Sequence, residues 1–305
     1  ATLLGTSVCT TILGFAPGAV WACARLRGMT APAHPLSHCP SLPWDEAPAD
    51  TLSQVVGVMT DIDDTLTAEG RIENEALQAL ERLAHSGLPV VAITGRPQGW
   101  SEPFARQWPV AAIVAENGAV SLRKSPEQDS SALQIDYVQD STTRARNAQR
   151  LREVAQRILA EVPGACLAQD SAGRVTDMAV DHSEFAHLAP HHIERVVALM
   201  REEGMNATVS SIHINGWFGE HTKLTGARWI VQSLWGQSLE SQTERWVYVG
   251  DSTNDQLMFG HFPLSVGVAN LMDFADRLTT WPRYITSRAR GVGFAQVAKR
   301  LLEAR

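Results

Sequence analysis

From residue 55 onward, the hydrophobic positions alternate between short apolar runs and longer segments with helical spacing. Short runs bounded by turn residues are typical of buried strands, and apolar positions three and four residues apart are typical of amphipathic helices. Strands are predicted at 55–59, 90–94, 110–114, 119–122, 246–249 and 265–268, and helices at 72–85, 224–234, 255–259 and 293–302. This alternation predicts an α/β fold with a parallel sheet and right-handed crossovers.

The middle of the chain has a different pattern, in which strands and helices do not alternate one to one. Strands are predicted at 133–138, 175–180 and 207–215, and helices at 143–162 and 190–203. We therefore expect an inserted α+β domain at 124–215, between two parts of a core domain at 55–123 and 216–305. Residues 1–54 are expected to form an irregular N-terminal extension.

Three carboxylates follow the first predicted strand directly, at Asp61, Asp63 and Asp64. Asp61 and Asp63 lie two residues apart, so their side chains point the same way on an extended strand end. Two carboxylates at close range repel each other, and a cation is needed to keep both ionised. Hard oxygen ligands of this kind suit Mg²⁺. The alternative is an acidic turn or helix cap, in which Asp is also common.

Three later stretches of the sequence contain further candidate functional residues. Residues 90–96, VVAITGR, form a strand that ends in Thr94; Lys223 precedes a predicted helix; and residues 246–255, WVYVGDSTND, form a strand that ends in paired acids. In order, the motifs are DxDxT, strand-Thr, Lys and GDSxND, and this ordered set resembles the haloacid dehalogenase superfamily of phosphatases and phosphotransferases. Residues 116–119, ENGA, resemble its large-cap subgroup, type IIB, which includes the Cof-like sugar phosphatases. The resemblance implies a Rossmann-like core with helices on both faces and a cap that governs specificity.

The resemblance also implies roles for four catalytic residues. Asp61 would be the nucleophile that attacks phosphorus, and Asp63 the general acid for the leaving alcohol and then the base for water. Thr94, helped by the Gly95 amide, would bind a phosphoryl oxygen, and Lys223 would balance the negative charge. Asp64 most simply occupies the turn, where family members often carry Gly.

A metal site and a substrate site complete the expectation. The residues expected to hold Mg²⁺, directly or through its water, are Asp61, Asp63, Asp251, Asn254 and Asp255. The residues expected to contact substrate are Gly95, Arg96, Asn117, Ser211, His213 and Asn215.

The three last residues of that set come from the alternation along the strand predicted at 207–215. Val209, Ser211, His213, Asn215 and Trp217 would share one face, and Ile212 and Ile214 would pack into the cap from the other. The polar row would supply hydrogen bonds for sugar hydroxyls, so alanine at His213 or Asn215 is expected to raise KM more than it lowers kcat. The alternative is a half-exposed strand whose polar face meets water.

Residues 1–54 give few signals. The apolar start is interrupted by Gly and Pro, and no basic residue precedes Arg25, so neither a signal peptide nor a membrane helix is favoured. A signal or anchor remains the alternative. Met29 is a candidate for the natural start. Residues 30–54 contain five prolines, which suits an irregular segment.

Composition narrows the choice of partners. The formal net charge of −7 and the pI near 5.8 argue against non-specific nucleic-acid binding, which needs a basic surface. The four cysteines form no CxxC pair, so a reducing cytoplasm is expected. The expected partner is a small phosphate ester, with no nucleic acid and no membrane, and the oligomeric state is left open.

The sequence therefore predicts a Mg²⁺-dependent phosphatase that hydrolyses a small phosphorylated metabolite, such as a sugar phosphate, through an aspartyl-phosphate. A phosphomutase of the same fold remains an alternative, because the motifs do not separate the two. A non-catalytic phospho-ligand sensor is disfavoured by the presence of Asp63, which a sensor would not need. A dehalogenase is disfavoured by Lys223 and the paired acids at 251 and 255.

Overall fold

The computed structural model describes residues 40–125 and 132–305, and the predictions for residues 1–39 lie outside them. The strands are β1 Leu42–Pro43, β2 Gly57–Thr60, β3 Thr67–Ala68, β4 Arg71–Ile72, β5 Val90–Ile93, β6 Ala112–Ala115, β7 Val120–Lys124, β8 Leu133–Tyr137, β9 Cys166–Leu167, β10 Asp177–Asp181, β11 Asn206–Val209, β12 His213–Trp217, β13 Trp246–Gly250, β14 Leu264–Gly267 and β15 Tyr284–Ile285. The α-helices are α1 Ala49–Leu52, α2 Asn74–His85, α3 Gln98–Gln107, α4 Ser141–Glu161, α5 Pro190–Glu202, α6 Lys223–Trp235, α7 Gln256–His261 and α8 Arg290–Glu303. None of these described helices is long and apolar enough to span a membrane.

The core is a nine-stranded sheet in the order β1-β15-β14-β13-β2-β5-β6-β7-β8. All pairs from β1 to β6 are parallel, and the β6–β7 and β7–β8 pairs are antiparallel. The predicted α/β fold class is thus confirmed. The strand that we assigned to the cap at 133–138 instead pairs with β7 of the core. A short connection joins β7 to β8, and short connections favour antiparallel neighbours.

Helices cover both faces of the core sheet, as predicted. On one face, α2 and α8 bury residues such as Leu80 and Phe294 against alternate strand positions such as Val249. On the other face, α6 and α7 bury Ile230 and Met258 against the intervening positions. Each central strand is buried on both sides, which accounts for the continuous apolar runs in the sequence.

Residues 40–54, which precede β2, are more ordered than we predicted. β1 adds a parallel edge strand to β15. Trp44 is 2% exposed, and the centroid of its ring lies 5.5 Å from that of Tyr284. The prolines indicated irregular structure. Pro43 is compatible with a strand here because β1 is the edge strand among the described residues, and the missing N–H is tolerated on the side away from β15.

The cap contains a four-stranded antiparallel sheet, β11-β12-β10-β9, with α4 and α5 packed against it. The single strand predicted at 207–215 is wrong, because β11 and β12 form a hairpin whose turn contains Ser211 and Ile212. Val209 pairs with Ile214 and therefore shares its face. Ile214 packs in the cap core as predicted, but Ile212 does not belong to that core.

Candidate active site

The carboxyl ends of three neighbouring parallel strands form the centre of the site. β2 lies between β5 and β13, so Asp61, Thr94 and Asp251, which follow these strands directly, lie along one edge of the sheet. This edge is where open α/β sheets bind ligands.

Asp61, Asp251 and Asp255 form a buried carboxylate cluster. One oxygen from each lies within 4.8 Å of the others, and no residue of the three is more than 4% exposed. Lys223 Nζ lies 2.6 Å from Asp61 Oδ1 and 2.8 Å from Asp255 Oδ1. One lysine therefore faces three carboxylates, which leaves an excess of negative charge if all three are ionised.

Local structure fixes Lys223 at the first position of α6. The Thr222 hydroxyl accepts from the Thr225 amide and the Thr225 hydroxyl accepts from the Thr222 amide, which caps the helix. The helix start also packs directly on the turn after β6. Gly118 has a φ of +108°, and a Cβ there would lie 2.1 Å from the Thr222 carbonyl oxygen, so a larger residue would displace the helix.

Burial and charge shift the pKa values of the cluster strongly. Burial raises the pKa of Asp61 to about 8, against the lowering effect of Lys223. Burial, followed by the charges of Asp61 and Asp255, raises the pKa of Asp251 well above its usual range. Burial alone would lower the pKa of Lys223, but Asp255 and Asp61 raise it above its ordinary value. The cluster therefore favours bound cations, whether protons or a metal ion.

Asp255, one of the predicted metal ligands, already uses both carboxylate oxygens within the protein. Oδ1 accepts from Lys223 Nζ and the Tyr248 hydroxyl, and Oδ2 accepts from the amides of Asp251 and Ser252 at 3.0 and 3.1 Å. Asp255 thus anchors the lysine and the loop of Asp251.

Asp251 has fewer partners. Its Oδ1 is 3.5 Å from the Thr65 hydroxyl, and its Oδ2 accepts from Asn270 Nδ2 at 3.3 Å. The other two predicted metal residues lie outside the cluster: Asn254 Oδ1 accepts from the Ser252 hydroxyl, and Asp63 is paired with an arginine. Asp61 and Asp251 are therefore the carboxylates best placed to hold a cation.

Asp63 pairs with Arg96, which we predicted as a substrate contact. Arg96 Nε donates to Asp63 Oδ1 at 2.9 Å and Oδ2 at 3.1 Å. The same guanidinium donates to Glu184 at 2.7 Å and to Asp170 at 3.2 Å, and both of these carboxylates belong to the cap. Arg96 therefore connects the motif of Asp63 to the cap.

Thr94 and Gly95 lie beside the cluster. The Thr94 hydroxyl accepts from the Arg96 amide at 3.0 Å and keeps its own proton for another acceptor. The Gly95 carbonyl accepts from Asn215 Nδ2 at 3.1 Å and from Arg174 Nη1 at 3.0 Å. The predicted phosphate-binding loop thus joins the cap through its backbone.

Asn117 and Asn215, both predicted as substrate contacts, are buried where the cap meets the core. Each donates to Asp177 Oδ2 at 3.4 Å, and Asp177 also pairs with Arg174 at 2.8 Å. Burial raises the pKa of Asp177 to about 7, opposed by Arg174 and reinforced by Glu116. In this arrangement the amides of Asn117 and Asn215 are occupied by protein partners.

His213 and Ser211 occupy different surroundings from each other. His213 Nε2 lies 2.8 Å from Glu184 Oε2, so the histidine supports a cap carboxylate. The Ser211 hydroxyl is buried in the hairpin turn and has no hydrogen-bond partner among the described residues. The predicted row of three polar residues on one strand is thus divided between a turn and a strand.

A cavity of about 350 Å³ opens between cap and core beside Asp63. Its core walls include Arg96 and Arg290, and its cap walls include Glu184, Phe185 and Ile212. The sequence did not predict the three residues at 184, 185 and 290. One signal for Glu184 was present, since it follows the strand β10 closely, as Asp63 follows β2.

These features define a capped α/β protein with an acidic centre at the carboxyl edge of its sheet. A family model for haloacid dehalogenase-like hydrolases matches residues 58–150. This match agrees, over residues 58–150, with the resemblance to hydrolases that the four motifs indicated. A search of curated protein sequences finds no match.

Solved structures share the whole architecture at low sequence identity. A protein of Thermoplasma acidophilum is 14% identical with a TM-score of 0.62, covering 82% of this chain and 99% of its own. A HAD/COF-like hydrolase of Plasmodium vivax is 15% identical with a TM-score of 0.60, covering 84% and 99%. The sucrose-phosphatase of Synechocystis, solved with sucrose and phosphate, is 16% identical with a TM-score of 0.57, covering 81% and 98%. At these identities the likeness concerns the fold.

Proposed function

We propose that the protein is a Mg²⁺-dependent phosphatase that hydrolyses a small phosphorylated metabolite, such as a sugar phosphate, through an aspartyl-phosphate. The observation that carries the proposal is the buried cluster of Asp61, Asp251 and Asp255 with Lys223 at 2.6 Å from Asp61. A sugar-phosphate substrate is supported by the likeness of the fold to that of a sucrose-phosphatase. The cavity of about 350 Å³ under the cap suits a small molecule and not a folded protein.

Asp61 is the proposed nucleophile. Its carboxylate attacks phosphorus in line with the leaving oxygen, and the phosphoryl group is then transferred from Asp61 to water. Lys223 neutralises charge as it accumulates on the phosphoryl oxygens, and the Thr94 hydroxyl donates to one of them. Asp63 protonates the leaving oxygen and then accepts a proton from the attacking water.

The acidic centre fits Mg²⁺. Asp61 and Asp251 supply hard carboxylate oxygens, and among the described residues only Lys223 forms ion pairs with the three carboxylates. Mg²⁺ at this position would neutralise substrate oxygens as the phosphoryl group moves. Asp255 would act by holding Lys223 and the amides of the Asp251 loop.

We expect activity to require a divalent cation, with Mg²⁺ preferred and Ca²⁺ inhibitory. Mg²⁺ enforces octahedral geometry, whereas Ca²⁺ accepts additional oxygens and could engage both oxygens of Asp61, which would then be unable to attack. Phosphate release is measured in chelator and after return of each metal. Full activity in chelator would contradict the metal requirement.

We expect Asp63→Asn to slow hydrolysis of alkyl phosphates by about 10²–10⁴-fold. The hydrolysis of aryl phosphates should be slowed much less, because an aryl oxide needs little protonation as it leaves. The matched control is Asp64→Asn, one residue away, which pairs with Arg290 at 2.9 Å and has no proposed catalytic role. An equal loss on both kinds of substrate would argue against Asp63 as the acid.

A panel of sugar phosphates tests the function as a whole. Release of inorganic phosphate in Mg²⁺ identifies a phosphatase, and conversion of a hexose 1-phosphate into the 6-phosphate identifies a mutase. A panel in which no substrate shows phosphate release or conversion would count against both the phosphatase and the mutase. The cytoplasm remains the proposed location, because the four cysteines of the sequence form no CxxC pair.

A further inference from the structure

The loop after β5 carries Thr94, the proposed contact for a phosphoryl oxygen, and two cap residues donate to the backbone of this loop. We propose that Arg174 and Asn215 are positioning residues, which act through this backbone to orient the Thr94 hydroxyl toward the phosphoryl group. This inference rests on the proposed phosphatase function.

The three carbonyl groups of the loop have partners on different domains. Two of them, at Thr94 and Arg96, accept backbone amides of the turn after β6, each at 3.0 Å. The carbonyl between them, at Gly95, accepts from Arg174 Nη1 at 3.0 Å and from Asn215 Nδ2 at 3.1 Å. The cap therefore holds the middle carbonyl of the loop, between two that the core holds.

One peptide group connects these donors to the hydroxyl of Thr94. The Gly95 carbonyl and the Arg96 amide belong to the same planar unit, so a partner that fixes the direction of one also fixes the other. The Arg96 amide donates to the Thr94 hydroxyl oxygen at 3.0 Å. Because that oxygen already accepts a hydrogen bond, the hydroxyl proton is left for a further acceptor, the phosphoryl oxygen.

Burial strengthens this series of hydrogen bonds. Thr94 is 0% exposed, Asn215 is 1% exposed, and the side chain of Arg174 is 2% exposed. Hydrogen bonds in a series polarise one another, and water screens them weakly at this depth. The donors on the Gly95 carbonyl should therefore strengthen the bond that Thr94 accepts and the one that it donates.

The cap segment that carries Arg174 is anchored on the core. The buried carboxylate of Glu116 accepts from the amide of Val175 at 3.0 Å and from the amide of Thr176 at 2.6 Å. Within the cap, the Arg174 guanidinium pairs with Asp177 at 2.8 Å. These contacts fix the guanidinium in its position beside the loop carbonyl.

A role through Thr94 differs from the role that the sequence indicated for Asn215. A contact with sugar hydroxyls would affect sugar phosphates and leave other ligands unchanged. A residue that orients Thr94 affects the phosphoryl group, which every phosphate ester shares. Ligands without a sugar therefore distinguish the two roles.

The test compares Asn215→Ala with the wild type in Mg²⁺ on glucose 6-phosphate and 4-nitrophenyl phosphate, and measures the Kd of inorganic phosphate by calorimetry. We expect kcat/KM to fall by about 3- to 10-fold on both substrates, the value of one neutral hydrogen bond, and the Kd of phosphate to rise by a similar factor. For Arg174→Gln we expect about 10- to 100-fold on each measure, because its hydrogen bond is charge-assisted.

The same change in a Thr94→Val background isolates the route of the effect. There Asn215→Ala should cause no further loss, because the hydroxyl through which it acts is absent. Arg174→Lys keeps the charge and should retain more phosphate affinity than Arg174→Gln. The matched control is Asn206→Ala, whose amide donates to the Gly219 carbonyl at 2.6 Å at the open end of the same hairpin, and which should leave every measure unchanged.

Thermal unfolding of each variant is measured alongside, and if Asn215→Ala does not fold, Arg174→Lys takes its place in the comparison with Thr94→Val. A loss confined to glucose 6-phosphate, an equal further loss in the Thr94→Val background or no change would overturn the inference. A wild type that hydrolyses neither ester but binds phosphate would overturn the proposed function, and the Kd values of phosphate would then decide the inference by themselves. A wild type that neither hydrolyses these esters nor binds phosphate would overturn both.

Discussion

Asp61→Asn is expected to abolish phosphate release while the fold is retained. The amide keeps the shape of the carboxylate and can still accept from Lys223, but it cannot attack phosphorus. We expect kcat to fall by at least about 10³-fold, on the scale of a lost nucleophile. The rate of phosphate release at a saturating concentration of substrate measures kcat. Turnover within tenfold of the wild type would remove Asp61 from the role.

The same variant has an expected effect on stability that depends on pH. In chelator, folded wild type retains the Asp61 proton up to a pKa of about 8, whereas the unfolded chain releases it near 3.8. The raised pKa means that wild-type stability declines as pH rises between these two values. Asp61→Asn has no such proton, so its stability relative to wild type should increase from pH 4 to pH 8. Thermal unfolding of both proteins at both pH values measures the difference in stability. A variant whose stability relative to wild type is greater at pH 4 than at pH 8 would contradict the expected direction.

Lys223→Met is expected to reduce both activity and stability. The change removes the lysine that pairs with Asp61 and Asp255 and leaves three carboxylates within 4.8 Å. Removal of one partner from a buried ion pair costs about 3–5 kcal/mol in the free energy of unfolding. The rate should fall by about 10²–10³-fold, because the charge that stabilises the transition state is lost.

Chemical denaturation with and without Mg²⁺ measures the stability effect. Mg²⁺ should restore part of the stability, since it supplies the missing positive charge to the same cluster. The matched control is Lys299→Met, whose side chain is 71% exposed and 3.7 Å from Glu303, and which should cost no more than about 1 kcal/mol. Equal effects at the two positions would contradict the assigned role of Lys223.

The strand ends of the core could be predicted because each motif is local. In each motif, an apolar run of four or five residues is followed directly by Asp61, Thr94 or Asp251. One short segment therefore identifies both a strand and its carboxyl end. Parallel neighbours then place those ends side by side without further information. The order of the motifs along the chain gave the resemblance to the family.

Helix α3 could not be predicted in this way. Its sequence contains Pro103, which normally interrupts a helix, and its pattern is short. The helix is stabilised by an aromatic series along one side, in which the rings of Trp100, Phe104 and Trp108 follow one another at 4.5 and 4.8 Å. Tertiary packing therefore outweighs the local signal.

The cap residues of the site also could not be predicted from local sequence patterns. The hairpin turn at Ser211 interrupts an alternation that looks continuous in the sequence, because the same residues suit one long strand or two paired short ones. Glu184 contacts Arg96, which lies 88 residues earlier in the chain. No spacing rule connects residues at such a distance.

The edge strand β1 determines which backbone groups are exposed at one edge of the core sheet. β15 is a strand of two residues whose outer side is paired by Leu42 and Pro43. A chain that began at β2 would leave the backbone groups of β15 open and uncover the ring of Tyr284, now packed against Trp44. Open edges recruit strands from other molecules, and Pro43 on the outermost strand discourages such pairing. Among the described residues, the segment from residue 40 therefore covers the edge of β15 with a strand on which Pro43 disfavours further pairing.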